Sequence, residues 1–402
     1  MRRRDLSPFG PLRIESDAAG HSARGDDASR FRPDVSGLRR GLVRTSAARL
    51  DGRLRASGRA DPSAGPLSGG RGRASGLGGA DGGALGSAGG LEHHGGPPLG
   101  PGFDRPVPPG GYAWWYVDAL SDDRQYGITI IAFIGSVFSP WYAWAGRKDP
   151  LNHCSVNACI YGPRTNRWAM TERKREALER DACHLVIGPS ALSWDDGVLT
   201  IRINELSAPF FKPVSGVVRV EPIAFNSHVF HLSKGGEHTW RPIAPSAHVT
   251  VAFSQPGMRW SGDGYFDMNA GDEPLENGFS DWTWSRAALS TGSTVLYDAN
   301  PRMGDPLSMA LRFDRHGGFE QAPPPPLAPL PRTGWRVART TRSDDGVASV
   351  MRGFEDTPFY ARTLLDQTLF GERVASVHES LSLNRFANPI VRCMLPFRIP
   401  RW

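Results

Sequence analysis

Residues 126–146, YGITIIAFIGSVFSPWYAWAG, carry no charged side chain for 21 positions. A strand with one face in water alternates apolar and polar residues, so this run must be buried on both faces or cross a membrane. A spanning helix takes about 20 continuous apolar residues. Here Gly135 and Pro140 interrupt the run, and its first half is rich in β-branched residues, which favour strands. We read a strand with core on one side and an apolar cavity on the other, ended by a turn at Ser139-Pro140.

The same β-type character runs through the chain from Pro106 onward. Short runs separated by turn signals predict strands at Tyr112–Leu120, Gly127–Phe138, Ser155–Tyr161, Ala191–Trp194 and Val198–Asn204, the last two joined by an Asp-Asp-Gly hairpin signal. More follow at Gly216–Glu221, His228–Leu232, His238–Ile243, His248–Phe253, Met258–Asp267, Trp282–Ala287, Thr294–Asp298 and Leu307–Phe313. Trp335–Thr341, Val347–Phe354 and Val374–Leu383 complete the set. One helix is predicted, over ERKREALERDA with Thr171 as its N-cap. Many short strands with close turns suit antiparallel barrels or sandwiches. The expected fold is therefore mainly β, with few short helices. A proline-rich spacer, residues 322–332, divides a first half (106–321) from a smaller second half (333–402) that completes the fold.

Residues 1–105 differ in kind. They are rich in Gly, Ala, Ser and Arg and hold three aromatics, so they are expected to form a disordered extension. They also hold 17 Arg, no Lys and 11 acidic residues, which is the whole net charge of +6. The remaining 297 residues carry 30 basic and 30 acidic side chains. No clustered basic face is left for nucleic acid. Four sparse cysteines, with no zinc spacing between Cys154 and Cys159, fit a reduced, cytoplasmic-type compartment and no metal.

The chemistry concentrates in GDGYFDMNAGDEPLE, residues 262–276. Alternation along a strand puts Asp263, Tyr265 and Asp267 on one face, with Gly264 and Phe266 on the other. His238 and Trp240 share a face in HTW, as do Trp282 and Trp284 in DWTWSR. If those faces line one cavity, it holds a carboxylate, a phenol, an imidazole and indoles. An Asp in such a place can stay protonated: raising it from ~3.9 to about 6–7 costs about 4 kcal/mol, within reach of desolvation. Asp263 would push the same way. A protonated acid beside π faces can protonate an alkene, and aromatic quadrupoles stabilise the resulting cation. Water held by His or Tyr then gives an alcohol, with no cofactor.

The residues alone leave other readings open. Asp/Asn/Gly clusters are commonly solvated turns, and tryptophans commonly core. Two carboxylates also serve glycosidases, and tryptophans serve sugar-binding platforms. DTPFYAR (356–362) and VHESLSLNRF (377–386) read as core strand ends whose Arg362, His378, Glu379 and Arg385 suit a buried ion network. The terminal MLPFRIPRW is a basic–apolar tail suited to a membrane surface or a docked strand.

GGYAWWYVDALSDD, IAFIGSVFSPWYAWA, NHCSVNACIYG, HTWRPIAP, GYFDMNAGDEPLE with WTWSR, DTPFYAR and MLPFRIPR together resemble the carotenoid 1,2-hydratases of phototrophic purple bacteria. The resemblance covers about residues 106–402. It implies a lipocalin-like fold in two barrel-like halves. It implies cofactor-independent addition of water to the terminal C1=C2 bond of acyclic carotenoids such as lycopene and neurosporene. Asp267 would be the proton donor, with His238, Trp240 and Tyr265 as catalytic partners. Trp282, Trp284, Phe266 and Asp263 are the expected substrate-binding residues. The polyene would thread into a barrel from the membrane, with the protein at the cytoplasmic face of the inner or intracytoplasmic membrane. The rival class is a non-enzymatic carotenoid or lipid carrier on the same barrel.

Overall fold

The computed structural model describes residues 100–402 other than position 164. The expectation for the extension therefore lies, up to residue 99, outside the described residues. Residues 100–105, assigned by sequence to that extension, instead pack on the fold. Phe103 is fully buried edge-on to Trp115, with ring centroids 5.1 Å apart. The Trp115 indole N–H donates to the Pro101 carbonyl at 3.0 Å.

A 12-stranded antiparallel sheet is built from β1 (Tyr112–Ser121), β2 (Gly127–Ile134), β3 (Cys154–Tyr161), β4 (Arg167–Arg173), β5 (Leu178–Arg180), β6 (His184–Ile187), β7 (Ser190–Asp195), β8 (Val198–Ser207), β9 (Lys212–Ala224), β10 (Phe230–His231), β11 (His238–Gln255) and β12 (Met258–Gly271). Its order is β4-β3-β2-β1-β12-β11-β9-β8-β7-β6-β5, with β10 on β11. The sheet curls until β4 lies against β8, nearly closing a barrel. A seven-stranded sheet follows, from β13 (Phe279–Leu289), β14 (Gly292–Pro301), β15 (Leu307–Asp314), β16 (Phe319–Ala322), β19 (Ala348–Asp356), β20 (Tyr360–Leu369) and β21 (Glu372–Ser382), in the order β16-β15-β14-β13-β21-β20-β19. β17 (Leu327–Pro329) and β18 (Thr340–Arg342) pair separately. The helices are short: α1 (Pro140–Trp144), α2 (Leu275–Gly278), α3 (Leu383–Phe386) and α4 (Pro389–Met394).

The uncharged run is a strand, and both of its faces are used. Ile128, Ile130, Ala132 and Ile134 point into the interior of the first sheet with Val117, Val156, Ile201, Val218 and Val249. Phe133 and Ile131 point the other way, toward Trp114, Tyr116, Tyr265 and the second sheet's Trp282, Trp284, Leu364 and Leu381. The turn at Ser139-Pro140 becomes the N-terminus of α1, where the Ser139 hydroxyl accepts from the Trp141 N–H. No helix among the described residues is long and apolar enough to cross a membrane.

Four sequence expectations change. The strand expected at Trp335–Thr341 is confined to its last two residues, which open β18. The helix after Thr171 does not form, because Thr171 is a buried member of β4, paired with Val156 of β3. Its neighbour Glu172 is buried against His153 and Arg401, so tertiary pairing overrides helix propensity. His238–Ile243 and His248–Phe253 are one strand, β11. Pro242 and Pro245 lack the N–H a ladder needs, and the register shifts there as bulges instead of ending the strand. The passage between sheets falls at residues 272–278, ahead of the proline-rich segment, since β21 pairs with β13 and returns β19–β21 to the sheet that β13 opens. The proline-rich segment packs down, with Ala328 fully buried and Arg342 of β18 gripping Asp298 at 2.7–3.0 Å.

Candidate active site

The site is assembled on neighbouring strands β1, β12 and β11. The β1–β12 register is unbroken, setting Tyr116 opposite Asp267, Asp118 opposite Tyr265 and Trp114 opposite Asn269. On the other flank Trp240 sits opposite Asn269, and His238 opposite Gly271. Alternation therefore turns Tyr112, Trp114, Tyr116, Asp118, Tyr265, Asp267, His238 and Trp240 toward the second sheet.

Asp267 is 3 % exposed. Its Oδ2 accepts from the Trp240 indole N–H at 2.9 Å and from the Tyr265 hydroxyl at 2.8 Å. Among the described residues its Oδ1 has only a long contact from the Asn269 amide, at 3.4 Å. Burial pushes the carboxyl up to about 8, outweighing the two hydrogen bonds that favour the anion. Glu379 and Asp118 push the same way, the part expected of Asp263. Asp263 does not join the site. It is exposed, roughly 13 Å along β12 from Asp267. Phe266 faces the first sheet's interior against Trp194, 6.1 Å between centroids, on the side away from the acid.

Trp284 lies 5.2 Å from Tyr265 and 5.5 Å from Tyr116 between ring centroids, and its buried indole N–H has no partner among the described residues. Trp282 lies 6.3 Å from Trp114. His238 is fully buried one alternation beyond Trp240, between the Tyr112 hydroxyl at 2.9 Å and Glu273 at 3.2 Å. Burial holds its imidazole below the usual range, against the opposing pull of Glu273. The seat exists only because two neighbours are glycine. A Cβ on Gly278 would fall 2.3 Å from Nε2, and one on Gly271 2.6 Å from Nδ1.

Beside Asp267 stands an ionic cluster that sequence reading reached only in part. Arg362 is 2 % exposed and donates to Asp118 at 2.7 Å, to the Tyr116 hydroxyl at 2.7 Å and to Glu379. Arg286 holds the other oxygen of Asp118. Tyr116 donates to Glu379 at 2.8 Å. Burial pushes the Glu379 carboxyl up, against the pull of Arg362. His378 and Arg385, expected in this network, lie elsewhere. His378 alternates to the opposite face of β21, where it contacts Ser380, and Arg385 donates to backbone carbonyls of Trp335 and Pro358. Asp118 and Arg286 left one signal in the sequence, a lone charge in an otherwise apolar alternation.

A cavity of about 260 Å³ opens between the two sheets. Its floor follows one row of paired residues, Met170, Asn157, Ile131 and Tyr116 across β4 to β1. Asp267 is the next residue in that row. It does not line the cavity; Trp114, Tyr116 and Trp282 form the end wall, and Glu379 is the carboxylate beside them that does. A second space of about 500 Å³ shares Trp168, Glu355, Asp356, Thr357 and Arg398 with the first. Both lie outside the interior of the first sheet, where a barrel ligand would be expected. That interior is filled by its own side chains, mostly Val, Ile, Leu and Ala with Trp115, Trp194 and Phe266. Among the described residues no three His, Cys, Asp or Glu side chains gather as a metal site.

The chain is 49 % identical over 406 residues to the acyclic carotenoid 1,2-hydratase of Thiocapsa roseopersicina, covering 100 % of this chain and 99 % of that one. It is 47 % identical over 382 residues to the enzyme of the same name from Rubrivivax gelatinosus, covering 93 % of each. Among solved structures it is similar to a putative AttH of Nitrosomonas europaea, with a TM-score of 0.49 and 12 % identity over 68 % of this chain and 92 % of that one. The family described as carotenoid hydratase CrtC matches residues 130–402. This chain belongs to the carotenoid hydratase family.

Proposed function

We propose that this chain is an acyclic carotenoid 1,2-hydratase in which Asp267 is the acid. The observation that carries the reading is a fully buried carboxyl, pushed up to about 8, in an aromatic cage one strand from an apolar cavity. Below that pH Asp267 is a neutral acid. Its Oδ2 already accepts two hydrogen bonds, so the proton resides on Oδ1. The polyene lies in the cavity, and its end group displaces the Trp114–Trp282 wall to reach Oδ1. The proton goes to C2, the C1=C2 electron pair forms the new C–H bond, and the cation rests on the tertiary C1. The faces of Trp114, Trp282, Trp284 and Tyr265 stabilise that charge. Water adds at C1, and Glu379, the carboxylate that lines the cavity beside Tyr116, takes its surplus proton. Glu379 then releases that proton to solvent and Asp267 takes one up, so each cycle adds one water and consumes no cofactor. Tyr265 and Trp240 hold Asp267 in place, and His238 with Phe279 closes the wall behind Trp282. Lycopene, neurosporene and related acyclic carotenoids are the substrates, met at the cytoplasmic face of the inner or intracytoplasmic membrane.

The test is Asp267→Asn with lycopene in detergent. Formation of a product heavier by one water should fall at least 10³-fold with the β-sheet circular dichroism unchanged, because an amide cannot give and recover the proton. Near-normal turnover would overturn the assignment. One observation favours a carrier instead: the cavity touches aromatic wall and not Asp267. Pigment that co-purifies and is released unchanged by the wild type would support that rival.

A further inference from the structure

The short helix α4 and the turn after it, Leu395–Phe397, are apolar on both sides. Val391, Met394, Leu395 and Ile399 line the cavity. Ile390 and Phe397 face outward, 74 % and 80 % exposed. A surface turn that is apolar on both sides calls for a second apolar phase outside it. The opposite lip repeats the pattern. Phe210 lines the second space while 78 % exposed, and Phe211 beside it is 55 % exposed. Trp335 lines the first cavity and is half exposed. Basic side chains sit among them: Arg167, Lys212 and Arg398 line the second space, with the Arg398 guanidinium 4.2 Å from the Trp168 ring centroid. The exposed acid there, Asp356, already accepts from the Gly334 N–H.

We infer that this rim, Ile390, Met394, Phe397, Trp335, Phe210 and Phe211 with Arg167, Lys212 and Arg398, docks on a bilayer containing anionic lipid and opens the cavity directly into the acyl chains. The charge is complementary to lipid phosphate, and the apolar tips reach past the headgroups. The inference deepens the carotenoid reading, because a polyene dissolved in the bilayer then passes to the cavity without crossing water. The docking itself requires no carotenoid.

The test uses the full chain and carotenoid-free vesicles of phosphatidylcholine with one-fifth phosphatidylglycerol. Wild type should float with them, and high salt should weaken the association. Ile390→Glu with Phe397→Glu should reduce flotation at least tenfold, and Phe211→Glu on the other lip should do so separately, which guards against misfolding of one variant. None of these three side chains lines the cavity, so turnover of lycopene in detergent micelles should persist while turnover from vesicles is lost. Equal flotation of wild type and variants overturns the inference. So does loss of a dimer in light scattering on Phe397→Glu, which would assign the rim to a second copy. Rim-dependent flotation without hydration in either medium would leave the surface standing and remove the hydratase reading.

Discussion

The two faces of the first sheet solve opposite problems. Its interior is mainly aliphatic, filled by Val, Ile, Ala and Leu that need no partners, with a few rings such as Trp115, Trp194 and Phe266 among them. Its outer face, covered by the second sheet, is aromatic and ionic: Trp114, Tyr116, Tyr265, Trp282 and Trp284 surround Asp118, Asp267, Arg286, Arg362 and Glu379. The cavity borders Trp114, Tyr116, Trp282 and Glu379 of this second face. The cavity accordingly lies between the sheets. The barrel is a scaffold, and the proposed chemistry sits on its outside.

Substitutions should separate these two regions. The largest stability effect belongs to the ionic face. Arg362→Leu strips Asp118 and Glu379 of a shared guanidinium and should cost about 3–5 kcal/mol in urea unfolding. A cost below ~1 kcal/mol would mean that the cluster is solvated. Glu379→Gln should lower turnover about 10–100-fold and flatten the acid side of the pH–rate profile, since the amide cannot take a proton from water. An acid limb unmoved by that change would exclude Glu379 as the base. Tyr265→Phe should be milder, roughly tenfold. It removes a hydrogen bond that favours the Asp267 anion, so the carboxyl rises further and the alkaline fall in rate, near pH 8 in wild type, moves upward. A downward shift would contradict the placement of that bond. The smallest effect belongs to the aliphatic interior. Ile201→Val should cost about 0.5–1.5 kcal/mol by opening a methyl-sized gap, with kcat/KM unchanged.

Strand positions were legible because their signal is local. Residues 126–146 required burial on both faces, and β2 uses both. Alternation in HTW and GYFDMN correctly grouped Trp240 with His238 and Tyr265 with Asp267. It failed where facing the right way was not enough: Asp263 shares the face of Asp267 but is exposed. Phe266 was placed on the other face by the same rule and was still expected at the ligand. The helix after Thr171 misled because propensity cannot see a neighbouring strand.

The sequence by itself determined that this chain is β-rich, that one segment is apolar on both sides, and that acid and aromatics share a face. These follow from dihedral preference and a two-residue repeat. Only the tertiary structure decided that the shared face is the outside of the barrel. It also brought Asp118 to Arg362, 244 positions away, and turned His378 from the network that Glu379 joins. Strand pairing across hundreds of residues is set by which register buries most apolar surface, and one residue of register reverses every side chain.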